Sequence, residues 1–189
     1  MLKRLFGSAL LAACLCTPAQ ALMLDSASLN GNTLTDYSAT SLLSFDLDLH
    51  NKAPLQLRYV VEQADLEGPL AFSAVIRNFT GAGLDFLSLA FSAGGVAELG
   101  TVTRSFGGGL NTHSGPGWVR LEFPQPEYLD LELGDAYGST PGARNWLLDT
   151  SSWQVGDLIE LRLAVPEPGS LALLGGALGL LAWGRRRRA

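Results

Sequence analysis

Apolar and polar residues alternate along much of the chain between residues 22 and 164. From Leu43 to His50 the apolar residues occupy every second position, and the same alternation returns from Leu55 to Val61. Successive side chains of a β-strand point to opposite faces, so each segment predicts a strand with one buried face and one hydrated face. Further segments with the composition of strands are 72–76, 84–92, 96–104, 118–123, 128–133 and 159–165.

Turn-forming residues separate these segments. Glycine, proline or asparagine occur at 67–69, 78–81, 107–109 and 115–117, and residues 50–54 have the length and composition of a hairpin turn. Eight or nine short strands with frequent turns predict an all-β fold, an antiparallel β-sandwich or jelly roll. No repeat of fixed period is present, which argues against a β-helix or a propeller.

The first 21 residues have the pattern of a secretory signal peptide. A basic start precedes an apolar run, and Ala19 and Ala21 are the small residues of an A-x-A cleavage site. Cleavage after Ala21 would remove both cysteines, Cys14 and Cys16, and leave a mature chain without a disulfide. The alternative is a lipoprotein signal, because residues 11–14 resemble the site at which bacterial lipoproteins are cut and acylated on cysteine.

Acidic residues dominate the region between the two ends of the chain. Residues 22–164 contain 17 acidic and 7 basic residues, because nearly half of the basic residues lie close to the termini. Binding to nucleic acid depends on clustered Lys and Arg that neutralise phosphates. The composition therefore excludes nucleic acid as an expected partner.

Catalytic signatures are absent from the sequence, which contains no nucleophile elbow, P-loop, dinucleotide fingerprint or zinc-protease motif. His50 and His113 are the two histidines, too few for a three-histidine metal site. We therefore expect no catalytic residue, no cofactor and no enzymatic activity. A glycosidase with paired carboxylates is a lower-ranked alternative, since such a pair needs a cleft that the sequence does not show.

Two acidic stretches leave a calcium site open as an alternative to a hydrated acidic face. Asp46 and Asp48 share one face of a predicted strand, and Asp130, Glu132 and Asp135 form the second stretch. Calcium takes six to eight oxygen ligands, but no EF-hand or other calcium-loop spacing is present.

Aromatic residues also allow two interpretations. They either pack in the core or, if several emerge on one sheet face, stack on sugar rings. The residues in question are Trp118, Trp146, Trp153, Tyr37, Tyr59, Tyr128 and Tyr137.

The last 25 residues have a different organisation. Val165-Pro166-Glu167-Pro168 is followed by sixteen uncharged residues, 169–184, and then by Arg185, Arg186, Arg187 and Arg188. As a helix, sixteen residues would extend about 24 Å, a marginal span for a hydrocarbon core of about 30 Å. The arginines predict a stop-transfer signal that keeps the C-terminus in the cytoplasm and places residues 22–164 outside.

This order of motif, apolar span and terminal arginines resembles the PEP-CTERM sorting signal, whose domain label sometimes borrows the name of ice-binding proteins. In that family the signal is recognised by exosortase, a membrane-embedded protease or transpeptidase of Gram-negative bacteria that make exopolysaccharide. The resemblance implies that Val165, Pro166, Glu167 and Pro168 form the recognition motif. It also implies that the tail is removed on transfer to the cell surface.

The sequence therefore predicts three parts: a signal peptide at 1–21, a β-sandwich at 22–164 and a sorting tail at 165–189. The expected partners are the Sec translocon, signal peptidase, exosortase and the membrane, with exopolysaccharide as a further candidate. We expect an exported, non-enzymatic protein of the cell surface or extracellular matrix with a structural or adhesive role. The alternative is a carbohydrate-binding module that uses exposed Trp and Tyr.

Overall fold

The computed structural model describes residues 22–138 and 140–165, and we call this part of the chain the body. It is all-β and contains a single turn of 3₁₀ helix, Gln63–Leu66, beside its strands. The strands are β1 (Met23–Ser28), β2 (Thr33–Asp36), β3 (Leu42–Leu49), β4 (Leu55–Val60), β5 (Leu70–Asn78), β6 (Leu84–Phe91), β7 (Gly95–Glu98), β8 (Val102–Arg104), β9 (Asn111–Gly115), β10 (Trp118–Glu127), β11 (Asp130–Leu133), β12 (Trp146–Asp149) and β13 (Leu158–Ala164).

The strands form two sheets. The first sheet has the order β1-β4-β13-β6-β10-β9, and the second has the order β2-β3-β5-β11-β8. Strand β12 joins the second sheet by pairing with β5 and with β7. The prediction of an all-β fold is therefore confirmed, and its strands are divided between two sheets.

Four strands of the structure were not predicted by alternation: β1, β2, β9 and β12. Strands β1, β2 and β9 carry mostly exposed side chains, and β12 has only four residues. A strand that buries little produces no periodic apolar signal, so pairing with a neighbour is what defines it. The predicted segment 96–104 is two strands, β7 and β8, which pair with different partners.

Two details of the predicted connectivity are wrong. Residues 50–54 are not a hairpin turn, because they link β3 of the second sheet to β4 of the first. The fold is not wholly antiparallel either, because β3 pairs with β5 in parallel from Leu42↔Ala71 to Leu49↔Asn78. The chain leaves the second sheet through β4 and returns to it with β5, so the two neighbouring strands run in the same direction.

One apolar core lies between the sheets. Phe72 of β5 is fully buried, and its ring meets Phe45 and Trp146 of its own sheet at centroid distances of 6.0 and 5.7 Å. It also meets Phe91 of the first sheet edge-on at 6.2 Å. These aromatic contacts join the inner faces of the two sheets, which pack as two layers.

Candidate functional site

The C-terminal part of the body ends inside the fold. Strand β13 lies between β4 and β6, and its last residue, Ala164, pairs with Ser88. Val165, which the sequence assigned to the tail, is only 5% exposed and belongs to the core. The predicted recognition motif therefore begins at a core residue, with no linker before Pro166.

The other predicted signal residues lie outside the described residues. These are Ala19 and Ala21 of the cleavage site, Pro166, Glu167 and Pro168 of the motif, the apolar segment 169–184, and Arg185, Arg186, Arg187 and Arg188. Within 22–138 and 140–165, no helix is long and apolar enough to cross a membrane.

We call the end of the body where β13 stops the exit end. Five connections lie there, because the strand termini that they join lie at the same end of the sheets as the end of β13. They are 29–32, 50–54, 79–83, 105–110 and 128–129. A surface cavity of about 340 Å³ opens beside the last residues of β13. It is lined by Ser28, Asn30, Pro54, Leu55, Gln56, Arg162, Leu163 and Ala164.

A buried ion pair organises the exit end. Arg104 and Glu127 have side chains that are 4% and 0% exposed, and Arg104 Nε donates to Glu127 Oε2 at 3.2 Å. The same carboxylate accepts hydrogen bonds from the backbone N–H groups of Phe106 and Leu129. One charged pair thereby holds the 105–110 and 128–129 connections together.

Each of the three guanidinium nitrogens of Arg104 donates a hydrogen bond. Besides Glu127, the guanidinium donates to the carbonyl oxygens of Gly109 and Gln125 and lies 4.8 Å from the centroid of the Phe123 ring. Buried charges are stable only when their hydrogen-bonding capacity is satisfied. The arrangement ties Arg104 to both the 105–110 connection and the end of β10.

Further contacts tie the remaining exit-end connections to this pair. Asn78 Nδ2 donates to the carbonyl oxygens of Ala82 and Glu127, at 2.8 and 3.0 Å. Lys52 Nζ donates to the carbonyl oxygen of Gly83 at 2.7 Å, which connects 50–54 with 79–83. The surface around the exit of the chain is thus built from hydrogen-bonded connections.

Aromatic side chains are exposed on this surface. Phe79 is 56% exposed and stacks on His50 at 5.7 Å. Phe106 and Tyr128 are about half exposed and meet edge-on at 5.2 Å. Half-exposed aromatic rings suit a boundary between water and an apolar phase, because one part of each ring remains packed.

Two of the acidic residues singled out in the sequence, Asp46 and Asp48, share one basic partner. Arg77 of β5 pairs with both Asp46 and Asp48 of β3, with Nη1 donating to Asp48 Oδ1 at 3.0 Å. Hydrogen bonds to Asp46 and Asp48 raise the pKa of Arg77. Across the described residues, no group of three or more His, Cys, Asp or Glu side chains is placed to hold a metal ion. The calcium alternative therefore has no ligand set there.

The aromatic residues divide between the two interpretations. Tyr59, Trp146 and Trp153 are buried, whereas Trp118, Tyr37, Tyr128 and Tyr137 are 42–57% exposed. Two of the exposed ones lie on different surfaces: Trp118 is on the first sheet, and Tyr128 is at the exit end.

Trp118 lies on the outer face of the first sheet, where its indole packs over Gly115 of β9. On the opposite side from β9, Trp118 pairs with Ala90, which pairs in turn with Arg162. Two strand spacings place the backbones of Trp118 and Arg162 about 10 Å apart. A pocket of about 280 Å³ adjoins Ala90 and is also lined by Ser92, Glu160 and Arg162. We call this surface the Trp118 trough.

Neither Arg104 nor Glu127 was singled out by the sequence. They lie 23 residues apart, and no local pattern distinguishes them from the other charged residues of the body. The sequence also missed Arg77 as the partner of its two acidic neighbours, because the parallel pairing of β3 with β5 was not predicted.

Comparison with known proteins bears on the C-terminal end. The family model of the PEP-CTERM protein-sorting motif matches residues 164–188, which begin with the last residue of β13. No curated protein and no solved structure matches the chain. The resemblance seen in the sequence is therefore confirmed: the chain carries a PEP-CTERM protein-sorting motif at its C-terminal end.

Proposed function

We propose that this protein is exported as a β-sandwich, held in the cytoplasmic membrane by its tail, and released by exosortase to the cell surface or extracellular matrix. There it has a structural or adhesive, non-enzymatic role. The observation that carries the proposal is the sorting motif at 164–188, which supports an exported protein sorted by exosortase.

The position of the motif relative to the fold supports this order of events. The motif begins at Val165, which belongs to the core, so the exit end faces the membrane surface while the tail is inserted. The prolines of Pro166-Glu167-Pro168 cannot join a helix interior, which leaves non-helical backbone for a protease. Cleavage beyond the motif's first residue leaves the described core intact, because Val165 is its last member.

The orientation follows from the charges of the tail. The four terminal arginines are costly to translocate and hold the C-terminus in the cytoplasm. The body then lies on the outer side, where the Sec translocon and signal peptidase deliver it.

The test replaces Pro166, Glu167 and Pro168 together by alanine in a host that possesses exosortase. We expect the variant to accumulate in the membrane with its tail retained, and its intact mass to show the added tail. Glu167→Gln is the matched control, because it removes the charge and keeps both prolines. Normal tail removal in the triple variant would refute the sorting assignment.

A second candidate function is glycan binding, favoured by the Trp118 trough. Sugar rings stack on an exposed indole, and Glu160 and Arg162 offer hydrogen-bonding groups beside Ala90 on the same sheet. An exopolysaccharide chain is the ligand class that suits a matrix protein.

The test measures binding of purified host exopolysaccharide and of a glycan array. We expect Trp118→Ala to weaken binding at least about tenfold, the effect of losing an anchor residue. Tyr128→Ala is the matched control, because this equally exposed aromatic lies at the exit end and not in the trough. Unchanged affinity of Trp118→Ala would show that glycan does not bind at the Trp118 trough. A wild-type protein that binds no glycan would exclude this second candidate and retain the structural role.

A further inference from the structure

The backbone nitrogen of Leu22 lies against a buried carboxylate. Leu22 is 2% exposed, and its N–H donates to Asp65 Oδ1 at 3.1 Å. Asp65 is 0% exposed and forms part of the capping box of the 3₁₀ turn, where its Oδ2 accepts the N–H of Glu62 at 2.8 Å. The first described residue is therefore anchored both by its side chain and by its backbone.

Asp65 is a buried carboxyl group without a basic partner. Within 22–138 and 140–165, no ion pair includes Asp65. Burial raises the pKa of Asp65, and the hydrogen bonds from the Glu62 and Leu22 backbones lower it in part. A cation at the position of the Leu22 nitrogen would offset the burial of this charge.

Signal cleavage supplies such a cation. We propose that the bond between Ala21 and Leu22 is the cleavage site and that Asp65 binds the α-ammonium group this cleavage creates. Hydrolysis adds water across the bond: the carbonyl carbon of Ala21 gains the oxygen and leaves as a carboxylate. The nitrogen of Leu22 gains the hydrogens and stays as an ammonium. The proposal rests on the export step of the proposed function.

The ion pair between the Leu22 ammonium and Asp65 would help to attach the edge strand of the first sheet. Strand β1 is the edge strand and pairs with β4, yet five of its six residues are exposed. Its attachment depends on Leu22 and on backbone pairing more than on its own side chains. An unattached β1 would expose the edge of β4, which is a hazard for aggregation. Cleavage of the signal peptide thus strengthens the attachment of β1 in the mature protein.

The geometry also selects one cleavage position. Each additional residue moves the ammonium by about 3.5 Å along an extended chain, beyond hydrogen-bond distance of Asp65. Acylation and cleavage at Cys14, the lipoprotein alternative, would leave an ordinary amide at Leu22. Only a chain that begins at Leu22 places the charge beside Asp65.

The test compares three chains that all extend to Ala189 and are purified in the same detergent. The first begins at Leu22, the second begins at Ala21, and the third begins at Leu22 with its nitrogen acetylated. We expect the first to melt about 2–8 °C higher than the others, the gain from charging one buried hydrogen bond in a chain of this size. Equal melting temperatures would overturn the proposal.

Two substitutions identify the responsible carboxylate. Asp65→Asn should abolish the difference between the first and third chains. Asp157→Asn is the matched control, because Asp157 also accepts the backbone N–H three residues earlier, from Gln154 at 2.8 Å. It should leave the difference intact. A difference that survives Asp65→Asn would refute the assignment.

Two measurements separate the role of Asp65 from the export step. The melting comparison uses purified chains and does not depend on export. The intact mass of the protein recovered from cells reports the first residue in vivo. A first residue other than Leu22 overturns the cleavage site, whereas a Leu22 start without added stability overturns only the role of Asp65.

Discussion

Replacing Arg104 by methionine should destabilise the body strongly, because it leaves Glu127 as an unpaired buried charge. Methionine preserves much of the side-chain volume beside Phe123 and removes the donor that lies 3.2 Å from Glu127. Loss of one partner from a buried ion pair costs about 3–5 kcal/mol. For a chain of this length, that loss lowers the melting temperature by about 6–20 °C.

The structure contains a matched control for this substitution. Arg144 and Glu98 form an ion pair with the same N–O distance of 3.2 Å, but their side chains are 72% and 56% exposed. Because exposed pairs contribute below about 1 kcal/mol, Arg144→Met should lower stability by no more than this amount. The two variants differ mainly in the burial of the pair they break.

The assay is chemical denaturation of the chain from Leu22 to Ala189 in detergent, followed by near-ultraviolet circular dichroism. Equal midpoints for the Arg104 and Arg144 variants would refute the argument that burial decides the energy of these pairs. Hydrogen exchange at the exit end provides a second measurement. Hydrogen exchange at the amides of Phe106 and Leu129, which donate to Glu127, should accelerate in Arg104→Met and remain unchanged in Arg144→Met.

Three further predictions concern processing and charge. Reductant should leave the melting temperature of the mature protein unchanged, because cleavage after residue 21 discards Cys14 and Cys16; a shift, or a mature mass that includes Cys14, would contradict this. Neutral residues in place of Arg185–Arg188 should weaken cytoplasmic retention of the C-terminus, and a reporter fused after the last residue would show unchanged placement if the prediction is wrong. A chain acetylated at Leu22 should lose stability as the pH rises from about 4 to 7, since burial raises the pKa of Asp65 and the protonated form favours the fold. The unacetylated chain should lose less over this range, and parallel pH profiles would contradict the ion pair.

The position of the sorting motif explains why the exit end is the part of the body most relevant to processing. Under the proposed sorting by exosortase, the protease would act on residues that follow directly on Val165, a core residue at this end of the body.

Features carried by consecutive residues could be recognised from the sequence alone. The strands with one buried face, such as β3 and β4, were predicted because alternation reports the two faces of a strand directly. The C-terminal motif was recognised for a related reason. Translocation and processing machinery recognises such signals as consecutive residues, so identifying them requires no folded structure.

Only the tertiary structure decided which elements meet. Alternation shows that a strand has a buried face, but it carries no information on which strand or sheet covers that face. The parallel pairing of β3 with β5, the burial of Arg104 with Glu127 and the contact of Leu22 with Asp65 all join residues distant in sequence. The physical reason is that these contacts depend on packing the two sheets around one core, a property of the whole chain that no local segment contains.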